Sequence, residues 1–90
     1  MGVTWDPEKA KLNPRKHGIR FSDAEGVLFD PHALTEEDQA ADGEQGYVTI
    51  GLDSLGPVLV VVYTYRGDDI RLISARRATR KERRSYEKRI

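Results

Sequence analysis

The chain contains no cysteine. That excludes a disulfide framework and any zinc site built on thiolates, and it fits a cytosolic protein. Its longest apolar run, residues 58–63, is far shorter than the ~20 residues of a membrane-spanning helix. No hydrophobic segment near the start resembles a signal region, and there is no internal repeat or low-complexity stretch. The most informative absence is of one charge sign: from Phe21 to Tyr65 there is neither lysine nor arginine.

The formal charge of the 90 residues is zero, but the charges are sorted along the chain. Residues 66–90 carry ten Lys/Arg against four Asp/Glu, a surplus of +6, and residues 1–65 carry five against eleven, a deficit of −6. Fields act locally, over a Debye length of roughly 8–10 Å, so a basic segment attracts polyanions whatever the total charge. Nucleic acid is the partner class this implies, and membrane is not.

Ninety residues make one domain, spanning 1–90, with a thin core: a chain this short buries roughly 60–65% of its unfolded surface. A short strand at residues 3–5 is followed by Asp6-Pro7, an N-cap and a first-turn proline. They predict a helix over 7–17, stopped by Gly18 and kinked or broken at Pro14. Ser22 and Glu25 have capping-box spacing and predict a second short helix ended by Asp30-Pro31. The acidic residues 31–45 read as a loop.

Three strands follow, at residues 46–53, 58–66 and 70–77, joined by turn residues short enough to require antiparallel hairpins. Thr79 and Glu82 form another capping box, opening a helix that runs to the C-terminus. The predicted fold is α+β: two N-terminal helices, an antiparallel sheet of three to four strands, and a C-terminal helix.

Simple alternation along the third strand places Ile73 and Ala75 with Arg71 and Arg77 on one face, and Leu72 and Ser74 with Arg76 on the other. Arginines therefore leave both faces near the strand end. On the last helix Ala78, Glu82, Tyr86 and Ile90 form one stripe, while Arg80, Lys81, Arg83 and Arg84 point elsewhere. Arginine suits phosphate because its planar fork donates two hydrogen bonds and stays charged. Glu82 reads either as the capping-box acid or as a base, and Tyr86 as a core aromatic or a proton donor.

Lys16-His17 is the second constellation. Histidine exchanges its proton near neutral pH, so His17 reads either as a cap on helix carbonyls or as an acid beside a cation. His32 lies in the acidic segment without partners. The carboxylates at 36–38 and 42–44 are not spaced as a calcium loop, and no metal or other cofactor is expected. Cleavage of RNA needs a base for the ribose 2′-hydroxyl, an acid for the departing 5′-oxygen and fixed cations at phosphorus. These residues supply such groups, but composition does not choose cleavage over passive binding. No aromatics interleave with the basic residues, which argues against a base-stacking binder.

Particular residues also carry a resemblance. Trp5-Asp6-Pro7, Asn13, Lys16-His17-Gly18, Phe21 with Ala24, Glu44, Ile50-Gly51, residues 61–64 (Val-Val-Tyr-Thr), Arg66, residues 73–78 (Ile-Ser-Ala-Arg-Arg-Ala), Arg80, Glu82-Arg83 and Tyr86 are similar to the pattern of the BrnT toxin family of type II toxin–antitoxin pairs. The match runs nearly end to end, and its first and last blocks are specific in this order.

The resemblance implies a RelE-like fold and a ribosome-independent, metal-independent ribonuclease that halts translation. A ribbon-helix-helix antitoxin of BrnA type would neutralise it, and the complex would repress its own operon, touching operator DNA only through the antitoxin. A homodimer or a toxin–antitoxin heterotetramer is the implied assembly. Carried over to matching positions, the site residues would be Lys16, His17, Arg66, Arg76, Arg77, Glu82, Arg83 and Tyr86. Lys16, His17, Arg66, Arg76, Glu82 and Tyr86 are then read as catalytic, and Arg77 and Arg83, with Arg80 and Arg84 of the basic helix, as RNA contacts. The alternative is a non-catalytic module that binds nucleic acid or only the antitoxin. Two departures stand out: Pro14 inside the 13–17 segment, and Gly46 where the family usually has a charged residue.

Overall fold

The structure is a computed structural model that describes residues 2–38, 45–53 and 56–88. Five strands form one mixed sheet in the order β1-β5-β4-β3-β2. They are β1 (Val3–Trp5), β2 (Leu34–Asp38), β3 (Gly46–Leu52), β4 (Val58–Arg66) and β5 (Asp69–Arg77). Helices α1 (Pro7–His17) and α2 (Phe21–Ala24), with a 3-10 segment at Glu25–Phe29, precede β2, and α3 (Arg80–Glu87) closes the described chain.

The α+β class and the β3-β4-β5 meander match the sequence reading. The sheet, however, has five strands rather than three or four, and it is not purely antiparallel. β1 pairs in parallel with β5, Thr4 opposite Arg71. β2 lies within the segment read as a loop and pairs antiparallel with β3. Its sequence, Leu-Thr-Glu-Glu-Asp, hides strand character behind charge, and acidic side chains on an edge strand also discourage further pairing.

Helix α1 starts as expected: the Asp6 carboxylate accepts from the Glu8 N–H at 2.9 Å. It is not broken at Pro14, which sits inside one helix. Gly18, at φ 72°, ends the helix and donates its N–H to the Pro14 carbonyl at 2.8 Å. The second helix also differs. Its N-cap is Arg20, without a side-chain bond, and the Ser22/Glu25 capping box is not formed; after four residues the chain tightens into the 3-10 segment.

Helices α1 and α2 and the 3-10 segment cover one sheet face. There Ile19, Phe21, Ala24 and Val27 pack with Leu59, Val61, Tyr63, Ile70, Leu72 and Ala75. Trp5 meets Phe21 edge-on, centroids 5.8 Å apart. Gly51 faces this layer, where a side chain would crowd its neighbours. A Cβ there would lie 3.1 Å from an Asp30 carboxylate oxygen and 3.2 Å from Val27 Cγ1. Helix α3 lies on the other face, against β3, and there Val62, Ser74 and Arg71 stay partly exposed.

Candidate nucleic-acid interface

The site begins with a break in strand register. Val62 pairs with Ser74, but Tyr63 pairs with Leu72, so Ile73 is an extra residue in β5. Such a bulge reverses the alternation downstream. Ala75 rejoins Leu72 and Ile70 on the core face, and all three are buried. Ser74 and Arg76 fall with Arg71 on the α3 face, opposite Val62, Val60 and Thr64. Arg77, opposite Leu59, points to the core side at the strand end. The simple alternation read from the sequence is corrected here.

Beyond the bulge β1 has ended, and α1 takes over the strand edge. Asn13, only 5% exposed, donates its amide to the Ala75 carbonyl at 2.8 Å and to the Ile19 carbonyl at 2.7 Å. Its own oxygen accepts the Ala75 N–H at 3.1 Å. This docking brings the end of α1 beside the bulge. Lys16 and His17, both exposed, line a recess with Ile73 and Ser74. Arg76 is two residues beyond Ser74 on the same face, about 7 Å along the strand.

Arg76 is fixed. Its two terminal nitrogens donate to the two oxygens of Glu82 at 2.8 and 2.9 Å, the bidentate geometry that specifies orientation. Glu82 is fixed in turn by the capping box expected from the sequence: it accepts the Thr79 N–H at 2.8 Å, and its own N–H bonds the Thr79 hydroxyl at 3.2 Å. The Arg76 hydrogen bonds, with Thr79 beside them, outweigh burial and hold the Glu82 carboxyl down at about 2. The Arg76 guanidinium is pushed up by the same pair. Glu82 is therefore a weak base whose acceptor positions are occupied.

Tyr86 is 1% exposed. Its hydroxyl donates to Asp30 at 2.5 Å, and burial together with that bond pushes it up to about 12. Asp30 also accepts the N–H groups of Leu52 and His32, each at 2.9 Å. Burial pulls Asp30 upward, but these hydrogen bonds win and hold it below the usual carboxylate range. Tyr86 is thus engaged in joining α3 to the sheet end, and its hydroxyl is closed to solvent. The pairing with Asp30 was not visible in the sequence, where 56 residues separate the two.

Arg66 is not brought to Arg76. It lies on the α3 face, but six residues along β4 from Val60, the partner of Arg76, a distance of about 20 Å. Beside that hairpin, Tyr47, Tyr63 and Tyr65 form an aromatic cluster on the core side, with Tyr65 exposed. The sequence reading that no aromatics interleave with the basic residues passed over Tyr63 and Tyr65, which stand just before Arg66 on β4; only Tyr47 joins them across strands.

On α3, Arg80, Arg83 and Arg84 are exposed, and Arg83 reaches Glu87 at 3.9 Å. Arg80 and Lys81 occupy the first turn, where the helix dipole is already positive; the arrangement favours a bound anion over the helix itself. Glu44 and Ile90 lie outside the described residues. Gly46 is buried opposite Thr64. Among the described residues no three His, Cys, Asp or Glu side chains cluster as metal ligands, and no helix is long and apolar enough to cross a membrane.

Sequence reasoning passed over Asn13 as anything but a pattern match, gave Ser74 no role, and placed Arg71 on the wrong face. Asn13 is the buried residue of α1, and its partners Ile19 and Ala75 lie outside that helix, so neither it nor the bulge leaves a local signal.

Comparison with known proteins bears on the fold and the family. The crystal structure, at 1.1 Å resolution, of the ribonuclease toxin BrnT from Brucella abortus is similar in fold, with a TM-score of 0.71 and 26% identity over 89% of this chain and 99% of that one. No curated protein sequence matches the chain. The family described as "Ribonuclease toxin, BrnT, of type II toxin-antitoxin system" matches residues 5–82, from the tryptophan of β1 to the carboxylate that holds Arg76, and the chain belongs to that family.

Proposed function

We propose that the protein is a metal-independent endoribonuclease whose centre is the junction of β5, α1 and α3. The observation that carries this is the placement of Arg76. It is clamped by Glu82 on the α3 face, beside the recess of Lys16, His17 and Ser74. The step is a transesterification. The ribose 2′-hydroxyl loses its proton to solvent, and its oxygen bonds to phosphorus. The bond to the 5′-oxygen breaks, and that oxygen takes a proton. The products are a 2′,3′-cyclic phosphate and a 5′-hydroxyl end.

His17 is assigned the proton donation. Arg76 and Lys16 stabilise the charge that builds on phosphorus. Glu82 orients Arg76 rather than acting as a base, and Tyr86 anchors α3 rather than giving a proton. Arg77, Arg80, Arg83 and Arg84 hold RNA near the centre, and Arg66 serves only phosphates distant from it. Acting in the cytoplasm, the enzyme would halt translation. A BrnA-type antitoxin from the adjacent gene, with a ribbon-helix-helix DNA-binding part, would cover these cations in a heterotetramer and repress the operon with it.

The test is purified protein, freed of antitoxin, with RNA in excess chelator and mass analysis of the new ends. Cleavage to cyclic phosphates is expected; intact RNA with well-folded protein rejects the reading. A second reading, an interaction protein without catalysis, is favoured by one feature. An apolar groove of about 250 Å³ between β2, β3 and α3, lined by Leu34, Val48 and Ile50, could seat a partner segment. Growth arrest on expression of the chain alone separates the two, since only the enzyme arrests growth.

A further inference from the structure

The bulge at Ile73 does more than present Arg76. Arg71 and Arg76 are five residues apart, an odd spacing that regular alternation would send to opposite faces. The extra residue returns them to one face: Arg71 lies opposite Thr64 and Arg76 opposite Val60, with Ser74 between them opposite Val62. Thr64 and Val60 are four residues apart on β4, so the two arginines stand about 13 Å apart along the sheet.

Arg71 is partly buried in an interior strand, flanked by β1 and β4, yet it forms no ion pair or hydrogen bond among the described residues. Asp69, two residues before Arg71 on β5, has its Oδ1 engaged by the Gly2 N–H at 3.0 Å. A guanidinium on a half-covered surface that no described carboxylate holds suits a mobile anion. Helix α3 packs over β3; on the same face Arg71, Ser74 and Val62 keep partial exposure, while Thr64 and Val60 beneath the two arginines are buried.

We infer that Arg71 is a second phosphate-binding subsite, on a track along the α3 face of β4 and β5 that carries single-stranded RNA away from Arg76 and Ser74 toward the Arg66 hairpin. The inference rests on the reading of the Arg76 junction as an RNA site. Arg71 positions RNA through a phosphate one short span from the reacting one, and it takes no part in the chemistry. Its methylene stem covers neighbouring sheet residues whatever its head binds, so the test must separate stem from charge.

Arg71→Met keeps the stem and removes the charge; Arg71→Lys keeps a charge without the fork. Binding is measured with a ten-nucleotide 2′-O-methyl RNA, which cannot be cleaved, over a range of salt. Cleavage is measured with a ten-nucleotide RNA and with a dinucleotide. Arg71→Met should weaken binding of the longer strand about fivefold and reduce the salt-dependence slope by ~0.7, the loss of one phosphate contact on a single strand. It should raise KM for the ten-mer without changing kcat, leave the dinucleotide unaffected and melt as the parent protein does. Arg71→Lys should restore most of the binding.

Unchanged ten-mer binding and salt slope in Arg71→Met would overturn the subsite. So would equal losses on the ten-mer and the dinucleotide, which would make Arg71 part of the centre or of the fold. If the parent protein binds the ten-mer through Arg71 but cleaves nothing, the ribonuclease reading fails and the track stands.

Discussion

Asn13 occupies the place of a missing strand beside Ala75, giving its amide to the Ala75 carbonyl and taking the Ala75 N–H in return. β1 reaches only Leu72, and from there one side chain satisfies the edge and joins α1 to β5. Lys16 and His17 reach the bulge because of this attachment, three and four residues further along the same helix.

Replacing Asn13 by alanine should leave the N–H and carbonyl of Ala75 and the carbonyl of Ile19 buried without partners. At 1–3 kcal/mol for each unsatisfied group, softened by relaxation, the expected loss is about 3 kcal/mol. That is a large share of the ~5–15 kcal/mol typical of a domain. Urea unfolding followed by circular dichroism measures it, and a loss below about 1 kcal/mol would show that the edge is satisfied by other means.

The Arg76–Glu82 pair predicts an acid-sensitive helix α3. The folded carboxyl is held at about 2 against an ordinary value of 4.5. A depressed carboxylate stabilises the fold above its unfolded value, and that stability is lost as pH falls from about 4.5 through about 2. Arg76 is 41% exposed at its side chain, so solvent screening reduces the contribution to about 1 kcal/mol. Glu82→Gln should flatten the difference in stability between pH 6 and pH 3 relative to the parent. It should also lower kcat more than it raises KM, because an undirected Arg76 serves the transition state poorly. An unchanged kcat would remove the positioning role from Glu82.

Tyr86→Phe separates anchoring from proton donation. Losing the bond to the charged Asp30 should cost about 1.5–3 kcal/mol, read as a lower melting temperature. Well below that temperature the variant should cleave RNA at close to the parent rate. Lost cleavage at unchanged stability would instead make Tyr86 the acid.

Arg76→Ala and His17→Ala should each relieve growth arrest while leaving a cooperative unfolding transition. Arg66→Ala, about 20 Å from Arg76, should reduce cleavage far less. Cleavage rates on a short RNA check all three variants. Full toxicity in the first two would reject the centre proposed at the β5–α1–α3 junction.

Local chemistry was legible wherever one short segment acts alone. The Asp6 cap, the Gly18 stop, the Thr79/Glu82 box and the strands from 46 onward follow from side chains that bond or pack within a few residues. Pro14 was over-weighted, since a proline within a helix can be tolerated when tertiary contacts hold that helix in place. β2 was missed because acidic edge residues have low strand propensity, and pairing with β3 overrides it. The Ser22/Glu25 spacing was real but unused, because Phe21 and Ala24 are buried and the core sets where that helix starts.

By itself, the sequence determined the α+β class, the basic C-terminal segment and the residue types available for holding phosphate. These depend on composition and short-range periodicity. Tertiary structure alone decided which of those residues meet. A single extra residue at Ile73 moves Ser74 and Arg76 onto the face of Arg71, Asn13 brings Lys16 and His17 beside them, and antiparallel pairing carries Arg66 to the far end. Strand register and long-range hydrogen bonds are set by packing against the whole sheet, so no local pattern in the chain specifies them.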